Sequence, residues 1–172
     1  MPGEMNRPPG GVPTSLADGQ ADFEAFYRAE YAAAVRLARL LTDSAAAAED
    51  RAQDAFVRMY RHFARVDNPA AFLRTTVVNV CRSWHRSRRR ETERLVKLTP
   101  VTTEQAPVGR ELDAVIAALS YKYRAVLVLR YWLDLSERDI AAALGCRPGT
   151  VKSTTSRALA QLRTQLSAKE LS

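Results

Sequence analysis

Residues 135–163 read LSERDIAAALGCRPGTVKSTTSRALAQLR, and they are the most informative part of the sequence for the fold. Ser136 can cap a first helix, with Asp139 three positions later, where a capping box carries Glu or Gln. Gly145 supplies the left-handed position at which helices commonly end. Pro148 suits the first turn of the next helix, because its missing N–H would have no partner there anyway. The stretch therefore predicts two short helices joined by a glycine turn.

The second of these helices has one apolar face and one basic, hydroxyl-rich face. The apolar face is predicted from residues that recur at the spacing of a buried helix face: Val151, Ala158, Leu159 and Leu162. The side chains predicted to point outward, as candidate DNA contacts, are Thr150, Lys152, Ser153, Thr154 and Arg157. Lys and Arg can neutralise phosphates or contact guanine, and Ser and Thr can bond bases or phosphates. This is the layout of a helix-turn-helix, whose second helix enters the DNA major groove. An ordinary helical hairpin with a solvated charged face is the alternative for so short a pattern.

Positive charge is concentrated in two separate segments. The 172-residue chain carries 26 Lys and Arg against 19 Asp and Glu, a net charge of +7. Residues 82–97 have a net charge of +5 and residues 136–169 one of +4, whereas the rest of the chain sums to −2. Two basic patches on an otherwise balanced chain indicate two contacts with a polyanion.

Several other classes of protein lack support in the sequence. The sequence contains no run of about 18 apolar residues, so it predicts no transmembrane helix. The first twenty residues are rich in Pro and Gly and lack the hydrophobic core of a signal peptide. The chain is therefore expected to act in the cytoplasm. Cys81 and His85 share a helical face and could provide two metal ligands, but a structural zinc needs four. We expect a buried thiol and a surface imidazole instead, and hence no metal and no cofactor. No nucleophile–base pair or phosphate-binding loop indicates an enzyme or any catalytic residue.

Helical periodicity extends through most of the chain with one interruption. It predicts helices at about residues 22–42, from a Ser44 cap to about residue 65, and from Asn68-Pro69 onward. Periodicity lapses around Pro100 and Pro107, and a later helix begins at a Ser120 cap. The prediction is an all-α fold of two small helical domains joined by a linker, each with its own core, the C-terminal one ending in the helix-turn-helix. The expected boundaries are a flexible tail at 1–20, a first domain at 21–94, a linker at 95–108 and a second domain at 109–168.

The third predicted helix has a polar and basic stripe opposite its apolar face. The stripe consists of Thr75, Asn79, Arg82 and Arg86, followed by Arg88-Arg89-Arg90. Such a stripe beside the short loop 66–68 could bind a DNA strand, and Trp84 or Phe72 could help to unstack a base. Core packing is the alternative role of both aromatic residues. The arginine run could equally be a solvated helix end or bind any polyanion.

Three stretches in this order resemble the group-four, extracytoplasmic-function sigma factors of bacterial RNA polymerase. AEDRAQDAFVR at 48–58 resembles the polymerase-docking segment of sigma region two. AFLRTTVVN at 71–79, continuing to Arg90, resembles the helix that reads and opens the minus-ten element. YRAVLVLRY at 123–131, with the helix-turn-helix, resembles region four, which reads the minus-thirty-five element. The resemblance covers about residues 23–166, and the order and spacing of the stretches are more specific than any one of them.

The resemblance implies a role for each set of residues. Asp50, Gln53, Asp54 and Arg58 would dock on the β′ clamp helices of core polymerase. Asn79, Arg82 and Arg86 would face minus-ten DNA. Lys152, Ser153 and Arg157, within the outward-pointing set above, would contact the minus-thirty-five element. The β flap and an anti-sigma factor are further partners that the family implies.

The chain also departs from the family pattern. Ser83 stands where Asp is usual, and Thr154 where Arg is frequent. Arg147 occupies a position often held by a capping Ser, and Ser120-Tyr121 replaces the usual Pro.

A sigma factor of this kind is expected to bind promoter DNA weakly on its own. Each mismatched base pair costs only about 1–3 kcal/mol of binding free energy, so one small DNA-binding module has modest specificity. Two such modules gain specificity mainly when one large enzyme tethers them. The alternatives are a self-sufficient helix-turn-helix regulator, which would not bind core polymerase, and a helical protein that binds RNA or a membrane surface through the arginine run. The latter leaves the helix-turn-helix unexplained.

Overall fold

The computed structural model describes residues 16–42, 44–96 and 115–170, and every regular element within these ranges is helical. Its elements are α1 (Leu16–Thr42), α2 (Ala45–Tyr60), a 3-10 turn (Phe63–Arg65), α3 (Pro69–Val96), α4 (Tyr121–Leu127), a π-helical turn (Val128–Trp132), α5 (Glu137–Leu144) and α6 (Pro148–Glu170). The all-α prediction is confirmed. Most of the predicted tail and linker lies outside the described residues. Among the described helices, none combines the length and the hydrophobicity that a membrane-spanning segment requires.

Helices α1, α2 and α3 pack together as an N-terminal module. Its core includes Leu41, Met59 and Val77, which are fully buried. Ser44 caps α2 as predicted, because its side chain accepts a hydrogen bond from the backbone N–H of Ala47. Asn68 does the same for α3, with 3.0 Å between its Oδ1 and the N–H of Ala71. α1 begins six residues earlier than the apolar spacing indicated, and α2 ends at a turn before residue 63 rather than near residue 65.

The C-terminal module consists of α4, α5 and α6. Ser136 caps α5 as predicted, accepting a hydrogen bond from the backbone N–H of Asp139 at 3.1 Å. Gly145 ends α5 in the left-handed conformation at φ 63°. Pro148 is the first residue of α6. Ser120 lies at the N-cap of α4, but its side chain makes no capping hydrogen bond.

The two predicted helical domains are confirmed, but their cores are not separate from each other. The buried side chains of both modules form one continuous cluster, which runs from Ala34 in α1 to Ala158 in α6. The contact is made mainly by α5 on α3, with α4 against α1 and α3. Small modules bury a low fraction of their surface when alone, so mutual packing adds apolar burial that neither can achieve by itself. The basic residues at 86–90 remain exposed, and the two predicted basic surfaces are therefore still present.

Candidate nucleic-acid and polymerase interfaces

Helix α6 presents a basic edge to solvent because its other face is fixed in the core. Val151 and Ala158 are buried and anchor the helix. Lys152, Ser153 and Arg157 are exposed, as predicted. Arg147 cannot cap the helix as a Ser would, but its carbonyl oxygen accepts hydrogen bonds from the N–H groups of residues 150 and 151. The helix start is thus stabilised by the backbone.

The predicted outward orientation of Thr154 is wrong. Its side chain is only 5% exposed. Thr154 comes three residues after Val151 and four before Ala158, and this spacing places it on the same face as those two core residues. Thr150 is half-buried, so the freely exposed part of the predicted set is reduced to three residues. A hydroxyl residue at this position looked like a surface residue in the sequence, because Thr is usually exposed.

A basic cleft of about 320 Å³ lies beside α6. Three cationic side chains line it, from Arg130 in the π-helical turn and from Lys152 and Arg163 in α6, together with the carboxylate of Glu137. Arg130 and Arg163 were not among the DNA contacts predicted from the sequence. Arg163 lies eleven residues after Lys152, close to three helical turns, and this spacing was the available signal. The sequence contained no such signal for Arg130, because a π-helical turn shifts the face on which its side chain lies.

The π-helical turn also exposes two aromatic residues of the C-terminal module. Tyr131 and Trp132 are 63% and 59% exposed. The N–H of Leu133 bonds to the carbonyl oxygen of Val128, five residues back, which widens the helix at this point. The altered spacing rotates the aromatic side chains away from the core.

The outer face of α2 carries the predicted docking residues, and the structure exposes all of them: Asp50, Gln53, Asp54 and Arg58. Asp54 forms an ion pair with Arg51, with 3.3 Å between Oδ2 and Nε. Val57 lies seven residues after Asp50 on the same face and is 59% exposed. Val57 was not among the predicted docking residues, although the sequence shows an apolar residue within this polar face. The face therefore combines charge with an apolar centre.

The predicted minus-ten stripe on α3 is only partly free in this structure. Arg86 is exposed, but Asn79 and Arg82 are half-buried. Arg82 donates hydrogen bonds to Oδ1 of Asn79 and to the carbonyl oxygen of Leu144, the latter at 3.2 Å. Two residues of the stripe therefore lie at the contact between the modules.

Family models match both modules of the chain. Residues 26–91 match the model for sigma-70 region 2, and residues 109–162 match the model for sigma-70, region 4. The chain belongs to the sigma-70 family. As a sigma factor it binds core RNA polymerase and directs promoter-specific transcription initiation, and a self-sufficient regulator is not favoured.

Similar proteins identify the branch of the family. This sigma factor is 38% identical over 165 residues to the RNA polymerase sigma-E factor of Streptomyces coelicolor, with 87% of this chain and 89% of the relative covered. It is 31% identical over 153 residues to the ECF RNA polymerase sigma factor SigM of Mycobacterium tuberculosis, with 86% and 78% covered. It is therefore an extracytoplasmic-function sigma factor, as the sequence resemblance implied.

A solved structure supports the same assignment. The sigma factor RpoE from Bartonella quintana, in complex with the anti-sigma factor NepR, superposes with a TM-score of 0.69 at 27% identity. The match covers 85% of this chain and 97% of RpoE. A match of that extent is too long for either module alone, so it includes both modules.

The side chains considered for base unstacking and for metal binding in this sigma factor have other contacts. Trp84 packs against the ring of His85, and the guanidinium of Arg88 lies 5.0 Å from the Trp84 ring centroid. Phe72 is half-buried beside the ring of His62. His85 Nε2 lies 2.6 Å from the carbonyl oxygen of Leu41, so this imidazole is not the surface group that was expected.

Cys81 is a buried thiol, as expected. Burial raises the pKa of the Cys81 thiol to about 12, against an opposing effect of Arg51. The thiol therefore stays protonated at neutral pH, which is unfavourable for a metal ligand.

Proposed function

We propose that this sigma factor uses three separate surfaces during initiation, one for docking on polymerase and two for promoter DNA. The observation that supports this is the distribution of exposed side chains, on the outer faces of α2, α3 and α6. Each surface belongs to a helix whose opposite face is buried, so its side chains are presented on a rigid support. The proposed domain boundaries remain 21–94 and 109–168, with the linker at 95–108 leading towards the polymerase active site.

The outer face of α2 is the proposed docking site for the β′ clamp helices. Asp50, Gln53, Asp54 and Arg58 supply the polar contacts of this site. Exposed Val57 at their centre would be buried on docking, and a small apolar centre with a polar rim is the usual composition of a protein interface. In the C-terminal module, exposed Tyr131 and Trp132 offer an aromatic surface for the β flap.

The α3 stripe of Asn79, Arg82 and Arg86 is the proposed minus-ten contact. The exposed arginines at 88–90 extend its positive charge along the same helix. Guanidinium groups bind phosphates in a bidentate geometry, and they would stabilise the separated strand after melting. Trp84 and Phe72 are half-buried near this stripe. Their proposed contribution to base capture is therefore to form the walls of the site that holds the base.

The α6 surface of Lys152, Ser153 and Arg157 is the proposed minus-thirty-five reader, with half-buried Thr150 at its edge. Arg130 and Arg163, which share the basic cleft with Lys152, extend this surface towards the DNA backbone. Phosphate contacts fix the register of a helix in the groove without reading sequence. We therefore assign base contacts to the exposed side chains of α6 and backbone contacts to the two cleft arginines.

The partners and setting follow from this role. Because its partners are core polymerase and promoter DNA, we propose that it acts in the bacterial cytoplasm and supplies no catalytic residue of its own. The RpoE relative was solved with an anti-sigma factor, and we propose that a partner of this class regulates the present chain as well.

Run-off transcription with purified core polymerase and a library of random promoters tests the proposal. The expected result is enrichment of promoters with two conserved elements at a fixed separation. A Lys152→Glu variant should no longer transcribe from these promoters while still pulling down core polymerase. Specific promoter binding by the isolated chain, with no retention of core polymerase, would contradict the proposal and favour a self-sufficient regulator.

A further inference from the structure

The basic cleft beside α6 is lined by more than the cations described above. On α6 the lining residues recur every three or four positions and therefore share one face of the helix: Lys152, Thr155, Ser156, Leu159 and Arg163. The facing wall is formed by Arg130 and Tyr131 of the π-helical turn and by Glu137, the first residue of α5. The cleft therefore combines cations and hydroxyls with an aromatic ring and a carboxylate around about 320 Å³.

The positive charge of the cleft is available to a ligand. Arg130 is half-buried, and its Nη1 donates a hydrogen bond to the carbonyl oxygen of Leu135 at 3.4 Å, which helps to hold the guanidinium in place. Lys152 and Arg163 are exposed. None of these three cations forms an ion pair with another residue that the structure describes. Cations on facing walls of a cleft favour a ligand with several negative charges, such as linked phosphates.

Glu137 favours a free nucleotide over a stretch of DNA backbone as the ligand. Its position in the first turn of α5 suits the helix dipole, but the side chain is half-buried and makes no ion pair or hydrogen bond within the described ranges. A DNA backbone offers this carboxylate further negative charge and no hydrogen-bond donor. Ribose hydroxyls are donors, and acidic side chains accept hydrogen bonds from them in nucleotide-binding folds. A free ribonucleotide therefore supplies a partner for this carboxylate.

Tyr131 provides a surface for the base of such a ligand. It lines the cleft and is 63% exposed. The bases of duplex DNA are already stacked on one another, whereas the base of a free nucleotide can stack on an exposed aromatic ring. Half-buried Leu159 adds apolar surface between the hydroxyl of Ser156 and the guanidinium of Arg163 along α6. The cleft therefore offers an apolar and aromatic part as well as a cationic part.

We infer that this cleft is a binding site for a ribonucleoside triphosphate. Arg130, Lys152 and Arg163 bind its phosphates. Glu137 accepts hydrogen bonds from its ribose hydroxyls, and its base stacks on Tyr131. The volume lies at the lower end of the range for small-ligand pockets, which suits one nucleotide with a partly exposed base. Because Lys152 also belongs to the proposed minus-thirty-five surface, nucleotide and upstream DNA would exclude each other, and this last step alone rests on the proposed function.

Isothermal titration calorimetry on the free, full-length chain tests the site. The probes are GTP, 2′,3′-dideoxy-GTP and inorganic tripolyphosphate, in a buffer without divalent cations. We expect GTP to bind most tightly. Loss of the stacked base should weaken the binding of tripolyphosphate about fivefold or more. Loss of hydroxyl donors to a charged acceptor should weaken the binding of the dideoxy nucleotide about tenfold or more.

Two variants separate the base from the ribose. Tyr131→Ala should lower the affinity for GTP to that for tripolyphosphate and leave the affinity for tripolyphosphate unchanged. Trp132→Ala is the matched control, because Trp132 is 59% exposed on the same turn but does not line the cleft. Glu137→Ala should remove the discrimination between GTP and its dideoxy analogue. Thermal melts establish that the variants fold.

A third variant tests the phosphate contacts. Arg163→Ala should weaken the binding of all three probes about tenfold. Arg138→Ala is the matched control, because Arg138 is exposed on α5 outside the cleft. Exclusion of DNA is measured with the holoenzyme on a duplex that carries only the upstream element. GTP should weaken the binding of this duplex to wild type more than to Tyr131→Ala, and equal effects would contradict exclusion.

Three outcomes would overturn the inference. The first is no binding of GTP to the free chain, and the second is equal affinity for GTP and tripolyphosphate, which would leave the cleft as a contact for DNA phosphates only. The third is an equal loss of GTP affinity in Tyr131→Ala and Trp132→Ala. Failure of the proposed function would give a different result, since calorimetry on the free chain involves neither polymerase nor promoter DNA.

Discussion

Reversing the charge of Asp54 should separate docking from folding, because this half-exposed carboxylate contributes little to the stability of the fold. Asp54 pairs with Arg51 on the outer face of α2 and is about half exposed. An exposed pair of this kind contributes up to about 1 kcal/mol, and a like-charged pair one helical turn apart costs up to about 0.5 kcal/mol. Asp54→Arg should therefore reduce the free energy of unfolding by about 1 kcal/mol. For a chain of this size that lowers Tm by about 2–4 °C.

The effect of Asp54→Arg on polymerase binding should be much larger. Placing a charge of the wrong sign at an interface can cost several kcal/mol, so we expect affinity for core polymerase to fall about tenfold or more. Fluorescence anisotropy with purified core polymerase measures the affinity, and calorimetry measures Tm. Glu24→Arg is the matched control, because Glu24 also forms an exposed ion pair, with Arg28, on a helix outside the docking face. Equal affinities for the two variants would refute the assignment of the docking face.

Four further predictions concern the C-terminal surface and the buried thiol. Lys152→Glu should abolish promoter-dependent run-off transcription while leaving polymerase pull-down unchanged; loss of both would indicate misfolding rather than a DNA contact. Arg163→Ala should lower the slope of log affinity against log salt for the holoenzyme–promoter complex by about 1, whereas Arg138→Ala, exposed on α5 outside the cleft, should leave it unchanged. Burial raises the pKa of Cys81 to about 12, so at pH 9 iodoacetamide should alkylate half-buried Cys146 and spare Cys81, and equal rates would contradict the structure. Because the unfolded thiol ionises at a lower pH than the buried one, the free energy of unfolding should fall as pH rises towards 12.

Local signals in the sequence predicted the helices well. The capping roles of Ser44 and Ser136 and the left-handed Gly145 depend on residues within four positions of each other, and all three are confirmed. The helical class and the family also followed from such short-range patterns. Periodicity located α1, α2 and α3 but was less accurate at their ends, where few apolar residues remain to mark the face.

The contact between the modules could not be predicted in this way. It depends on hydrogen bonds between residues more than forty positions apart, such as that from Tyr121 to Val78. Backbone carbonyl acceptors carry no signature in the sequence, since every residue has one. Thr154 was misplaced for a different reason, because residue type was given more weight than its spacing from Val151. Trp132 is exposed because the helical period changes in the π-helical turn, and no residue type in the sequence indicates that change.

The carbonyl oxygen of Leu41, near the end of α1, is capped by Arg124 of α4 as well as by His85, and this shared cap has a consequence for chimeras. A hybrid made by exchanging region four between related sigma factors replaces Arg124 but retains Leu41 and His85. If the donor lacks an arginine at that place, the recipient's first helix loses a cap and its melting temperature should fall, although no residue of the first module has changed. Grafting promoter specificity from one such protein to another therefore calls for transferring this arginine together with the recognition helix.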